Sequence, residues 1–261
     1  MMYQFCARTD QGRARDNNED SIAFEEHARV AVLADGMGGY NAGEIASGMA
    51  TAFIKSELSR WILEAGSTAQ AKEVRRAMEI CVDNANMAIY NSANSNSAYA
   101  GMGTTLVVGV FKDDRLFLGH IGDSRCYRLR AGILSQITKD HSLLQEQIDA
   151  GLISPEQAAN SSIKNLVTRA LGVEDMVMLD VNEHVVEPGD LYLMCSDGLS
   201  DMVNDELIAR IISEETGLDQ KTGLLISTAN ENGGRDNISV LMVLAGESTE
   251  RRGLFARLLG K

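Results

Sequence analysis

A chain of 261 residues with 44% hydrophobic composition is long enough for one large domain or two small ones, and apolar enough to bury its own core. Its 37 acidic against 24 basic residues give a net charge of -13, which excludes a general affinity for nucleic acid or an anionic membrane, because either would be repelled. Four cysteines far apart in the chain (Cys6, Cys81, Cys126, Cys195), with no CxxC pair, exclude a disulfide frame or zinc site and read as reduced thiols of a cytoplasmic protein.

From the N-terminus, residues 1–10 show no basic region followed by an apolar core, so no signal peptide is expected there. No apolar run approaches the roughly 18 to 20 residues needed to cross a bilayer. Short apolar or alternating runs predict strands at 21–24, 29–34, 103–111, 115–120, 124–129, 178–186, 190–195 and 237–244. Helical periodicity predicts a helix over 42–64, with Ile45, Met49, Phe53, Trp61 and Ile62 close to one face. A second is predicted over 70–93 through Val74, Met78, Cys81, Ala85 and Ile89. Segment 91–102 reads as a polar loop, 140–175 as a helical excursion between strands, and 204–212 and 219–231 as further helices. Pro155 and Pro188 fit a helix start and a turn. Long helices following strands, without regular βαβ alternation, predict an α+β fold with mainly antiparallel sheets covered by helices.

The functional signal is an aspartate that recurs where apolar strands end. In V-A-V-L-A-D-G-M-G-G (Val30 to Gly39) the strand stops at Asp35. A phosphate-loop reading of these glycines fails, because position 41 is Asn where a third glycine is required and no Gly-Lys-Ser/Thr follows. Asp123 follows a strand and a glycine, Asp197-Gly198 follows Leu191 to Ser196, Asp236-Asn237 precedes a strand, and Glu19-Asp20 leads into another. A single Asp-Gly after a strand is ordinarily a turn. Five acidic sites at strand ends point instead to carboxylates gathered in one cleft, where cations must offset their repulsion. Oxygen donors without His or Cys pairs suit Mg²⁺ or Mn²⁺, and two such ions about 3.5–4 Å apart can hydrolyse a phosphate ester.

The ordered set R-x-x-N-E-D (Arg15 to Asp20), V-L-A-D-G-M-G-G, G-T-T (Gly103 to Thr105), G-D-S-R (Gly122 to Arg125), K-D-H-S (Lys139 to Ser142), C-S-D-G-L (Cys195 to Leu199) and G-G-R-D-N (Gly233 to Asn237) resembles the bacterial branch of the PP2C, or PPM, metal-dependent serine/threonine protein phosphatases. The resemblance implies an αββα sandwich of two antiparallel sheets flanked by helix pairs, formed by residues 1–247, with a flap at about 140–175. It implies that Asp35 bridges two metals, that Asp197 and Asp236 complete the first, and that Glu19 and the Gly36 carbonyl complete the second. Asp123 and Asp197 match the ligands of a third, weaker metal. Arg15 matches the arginine that binds substrate phosphate, while Asp20, Thr104, Asp201 and Asn237 match residues that orient waters or ligands. The implied reaction is direct in-line attack of a metal-bridging hydroxide on phosphoserine or phosphothreonine in proteins, with Arg15, Asp35 and Asp236 as the catalytic set. A cognate serine/threonine kinase is the implied partner, and a monomer the implied state. Dephosphorylation of an anti-anti-sigma-type regulator and a non-catalytic binding module are the competing readings.

Met37 departs from many eukaryotic members, which carry His there, so that general acid is absent. His141 is expected to fix a loop, and the isolated His27, His120 and His184 to be surface or packed side chains. Methionines and Trp61 read as core. The tail 248–261 is basic and apolar on an acidic protein and reads as a loosely ordered segment, with contact to an anionic membrane through 251–261 as the weaker alternative.

Overall fold

Two apolar faces per strand dictate the architecture. In the computed structural model, which describes residues 1–38, 42–154, 157 and 166–247, the strands form two antiparallel sheets. One runs in the order β1 (Met2–Asp10), β11 (Ile238–Gly246), β10 (Leu191–Cys195), β7 (Arg125–Arg130), β8 (Ile133–Gln136). The other runs β2 (Asp20–Glu25), β3 (Val30–Met37), β5 (Leu106–Lys112), β6 (Arg115–Ile121), β9 (Asp180–Val185), with the short β4 (Gly103–Thr104) on the end of β3. Helices α1 (Gly43–Ala65) and α2 (Ala71–Ser95) cover the second sheet. Two short helices, α3 (Leu143–Asp149) and α4 (Asp197–Ser200), lie in connections, and α5 (Asp205–Ser213) and α6 (Leu218–Glu231) cover the first sheet.

The β3 strand shows why its sequence is continuously apolar rather than alternating. Val30, Val32 and Ala34 join Ile54, Met78 and Ile89 under the helices, while Ala31 and Leu33 join Phe111, Tyr192 and Leu241 between the sheets. Successive residues point to opposite faces, and both faces are dry. The same parity puts Asp35 on the face of Leu33, at the end of the inter-sheet layer. A third cluster, including Leu193, Val240, Ile208 and Leu225, fills the space between the first sheet and its helices. Burying each such side chain contributes roughly 1.5–3 kcal/mol, so three layers of core hold the strand ends rigidly.

The expected αββα sandwich is thus the observed one, with differences in detail. Strands β1 and β8 were not expected. β1 alternates, with Tyr3, Phe5 and Ala7 packed on the inter-sheet core, and pairs with β11 along its whole length. The run 103–111 divides at Thr105 into β4 and β5, because Thr105 turns its hydroxyl to the Asp35 amide at 2.9 Å. The buried stripe of α1 is Gly43, Ala46, Ser47, Ala50, Thr51, Ile54, Leu58 and Ser59, whereas the large residues Ile45, Met49, Phe53, Trp61 and Ile62 are only partly buried against the cluster. Small residues let α1 lie close to β2 and β3, so the widest side chains flank the contact instead of filling it. The α2 stripe is as expected, with Val74, Met78, Cys81, Ala85 and Ile89 all buried.

The 140–175 excursion leaves and returns at one place. The Leu143 amide donates to the Leu166 carbonyl (2.9 Å), Thr168 to the His141 carbonyl (2.8 Å), and Leu171 pairs with Thr104. Pro155, Gly39 and the tail 248–261 lie outside the described residues. Among the described residues no helix is long and apolar enough to cross a membrane.

Candidate active site

The strand ends bring the acidic motifs to one edge of the sandwich. β2 and β3 pair in a register that sets Asp20 opposite Asp35. The Asp35 main chain is fixed on both sides: its amide donates to Thr105 Oγ1, and its carbonyl accepts from the Thr105 amide and from Thr104 Oγ1, each at 2.9 Å. Thr104 is fully buried in this role. The Asp35 carboxylate is thereby aimed from a rigid backbone.

Gly36 follows where nothing larger fits. A Cβ there would lie 2.2 Å from the Gly43 carbonyl oxygen and 2.5 Å from that of Glu19. Gly43 opens α1 for the same reason, since a Cβ would stand 2.5 Å from Glu19 Oε2. The Glu19 carboxylate therefore packs on the first turn of a 23-residue helix, where amide dipoles favour an anion.

Asn237 stitches the opposite wall. Its Oδ1 accepts the Glu19 amide at 2.8 Å, and its Nδ2 donates to the carbonyls of Gln11 (2.9 Å) and Asn17 (2.8 Å). Asp236 accepts the Asn237 amide on Oδ1 at 2.8 Å and the Arg15 guanidinium on Oδ2 at 2.6 Å. Asp197 opens α4 directly after β10, with the Asp201 amide donating to its carbonyl at 2.8 Å. Asp123 sits between Gly122, at φ +103, and Ser124. The loop 14–19 borders a polar depression of about 240 Å³ lined by Arg15, Asp16, Glu19 and Asn237.

These carboxylates raise one another. Burial, then Asp20, Asp197, Asp123 and Asp236, hold the Asp35 carboxyl well above its ordinary range. Burial, then Asp123 and Asp236, do the same to Asp197. Burial first and Asp140 next push Asp123 to about 6, while burial outweighs the hydrogen bond from Ser196 to push Asp20 to about 6. Burial and Glu44 raise Glu19. Against this, the Arg15 guanidinium hydrogen-bonds Asp236.

The donor set fits hard divalent cations. All its side-chain donors are oxygens. Asp20 Oδ1 and Glu44 Oε2 are buried with no hydrogen-bond partner, so both oxygens keep lone pairs that a cation or its water would fit. The carboxylates are spread around the cleft, and among the described residues no three His, Cys, Asp or Glu side chains are already drawn together to hold an ion. Asp236 is turned to Arg15.

Residues 10–235 match the family model of protein phosphatase 2C. The chain belongs to the protein phosphatase 2C family. It is 37% identical over 239 residues to the serine/threonine phosphatase stp of Listeria monocytogenes, covering 90% of this chain and 93% of that one. The serine/threonine phosphatase of S. agalactiae superposes with a TM-score of 0.85 at 37% identity, covering 93% of this chain and 99% of that one. The catalytic domain of the phosphatase PstP, solved with two manganese ions, superposes with a TM-score of 0.83 at 37% identity, covering 94% and 99%.

Within this PP2C fold, sequence reasoning missed Glu44 and Ser196. Glu44 follows an Ala-Gly pair at a helix start and reads as an ordinary first-turn acid. Ser196 donates to Asp20 Oδ2 at 2.8 Å and accepts the Ser239 amide, a link between the two sheets that no local pattern announces. Met37 ends β3 opposite Gly103 and brings no proton donor. His141 does not replace it, since Nδ1 accepts the Gly122 amide (3.1 Å) and Nε2 meets Asp180 (3.1 Å).

Proposed function

We propose that this metal-dependent serine/threonine phosphatase removes phosphate from phosphoserine and phosphothreonine in proteins, opposing a serine/threonine kinase in the cytoplasm as a monomer. In this reading Asp35, Asp197 and Asp236 hold one Mn²⁺ or Mg²⁺, Asp35 with Glu19 and the Gly36 carbonyl hold a second, and Asp123 with Asp197 hold a third, weaker one. Bound ions would supply Lewis-acid charge and a water acidified toward neutral pH. The chain's own groups do the rest. Asp35, locked by Thr104 and Thr105, fixes the line of attack on phosphorus. Arg15 exchanges Asp236 for the phosphate oxygens, for which its planar fork is suited. Asn237 and Asp20 hold the walls. Protonation of the leaving serine or threonine oxygen falls to water or another group, since the Met37 side chain has no dissociable proton.

The observation that carries this reading is the ring of carboxylates that raise one another while two buried acidic oxygens lack partners. The test is hydrolysis of an aryl phosphate and of a phosphothreonine peptide with Mn²⁺. EDTA is expected to abolish both activities. Asp35→Asn and Asp236→Asn should each lower kcat/KM on the order of 10²-fold or more, the scale of losing one electrostatic group aimed at the reacting phosphate. Full activity in either variant would refute the assignment.

A further inference from the structure

Two histidines outside the proposed mechanism hold the loop that carries Asp123. His141 Nδ1 accepts the Gly122 amide at 3.1 Å, and the His141 amide donates to the Gly122 carbonyl at 2.8 Å. An Nδ1 that accepts leaves the ring proton of a neutral imidazole on Nε2, which therefore donates to Asp180 Oδ2 at 3.1 Å. His120, at the end of β6, lies 4.7 Å centroid to centroid from His141, and its buried Nε2 has no hydrogen-bond partner among the described residues. Burial first, and His141 next, push it down to about 4, so it packs as a neutral ring. Gly122, the neighbour of Asp123, is thus held on both its amide and its carbonyl by His141.

The same histidine is tied to the returning arm of the 140–175 excursion. The Thr168 amide donates to the His141 carbonyl at 2.8 Å, Ser142 pairs with Val167, and Arg169 Nη1 reaches Asp180 Oδ1 at 3.3 Å. His141 is only 8% exposed, so water replaces none of these bonds cheaply. We propose that His141, oriented by Asp180 and backed by His120, is a positioning residue that couples the 140–175 excursion to the Asp123 loop and so sets the affinity of the weaker metal site. This rests on the assignment of Asp123 to that site.

The test is calorimetric Mn²⁺ titration of the full chain, paired with hydrogen exchange at the Gly122 and Thr168 amides. His141→Ala is expected to weaken the low-affinity binding step on the order of 10-fold, leave the tighter step within about twofold, and speed exchange at both amides together. His141→Asn, whose Oδ1 can accept the Gly122 amide, should recover most of the loss, and Asp180→Ala should fall between. A weak Mn²⁺ step left unchanged in His141→Ala, or in Asp180→Ala where His141→Ala does not fold, overturns the proposal even if the Tm is lowered. Wild-type chain that binds Mn²⁺ but shows no aryl phosphate hydrolysis would instead sink the phosphatase reading, and a wild type lacking the weak step would sink the assignment of Asp123.

Discussion

At the scale of single residues, the site is built from groups that would be unfavourable in a protein without its ion. Asp20 is the clearest case: it is 8% exposed, receives Ser196 on one oxygen, and leaves the other buried and unpartnered. Replacing it with Asn removes the buried charge and keeps an acceptor for Ser196. We therefore expect Asp20→Asn to raise the Tm of the EDTA-treated chain while weakening Mn²⁺ binding about 10- to 100-fold, the usual range for residues that support metal ligands. Unfolding scans with EDTA and calorimetric titration measure the two halves. A lower Tm without metal would mean that Asp20 is held by bonds stronger than its burial cost. Strain of this kind is how residues serve chemistry at the expense of the resting fold.

At the scale of elements, α1 links the site to the core. A Cβ on Gly43 would meet Glu19 Oε2 at 2.5 Å, so Gly43→Ala must displace that carboxylate even though alanine is the better helix former by about 1 kcal/mol. The expected result is a roughly tenfold higher Mn²⁺ requirement for half-maximal activity together with a lowered apo Tm, because the same Cβ would stand 2.9 Å from the Gly36 main-chain carbon. Farther along, Ala50 is fully buried in the stripe facing the sheet, and Ala50→Leu should cost about 1–3 kcal/mol in chemical denaturation by overpacking. These two positions also explain what was legible. The acidic strand ends could be read because Asp and Gly interrupt apolar runs visibly, and α2 because its large residues recur at helical spacing. The α1 contact was read only in part, because Ile45, Met49, Phe53, Trp61 and Ile62 do pack against the core but much of the fully buried stripe is alanine, serine and threonine, which carry little hydropathy. β1 alternates faintly, with Cys6 and Arg8 on its outer face, and its pairing partner lies over 200 residues away. Ser196 and Glu44 matter only through neighbours that the fold supplies.

At the scale of the whole molecule, the acidic excess and the carboxylate ring make stability depend on pH and metal together. Asp20 and Asp123 move from 3.8 to about 6 on folding, chiefly by burial, so the folded apo chain keeps protons that the unfolded chain has released. A raised acid stabilises the fold below its unfolded value and loses that contribution as pH rises through the folded value. The loss therefore runs from about pH 4 through 6, and Asp35 and Asp197, raised further, extend it upward. Asp190 acts in the opposite sense on the acid side. Burial opposes its ionisation, but Arg130 at 2.6 and 2.7 Å and the Glu187 amide outweigh it and hold the carboxyl below 3.8, so its contribution is lost only as pH falls through that lower value. Without metal, the Tm is expected to be higher at pH 5 than at 6.5 and lower still at 7.5. Millimolar Mn²⁺, which binds the ionised carboxylates, should reverse the order and give its largest Tm gain at pH 7.5. Thermal scans at the three pH values with EDTA and with Mn²⁺ decide it. An EDTA-treated chain whose Tm rises steadily from pH 5 to 7.5 would mean that the carboxylates relax into water instead of raising one another.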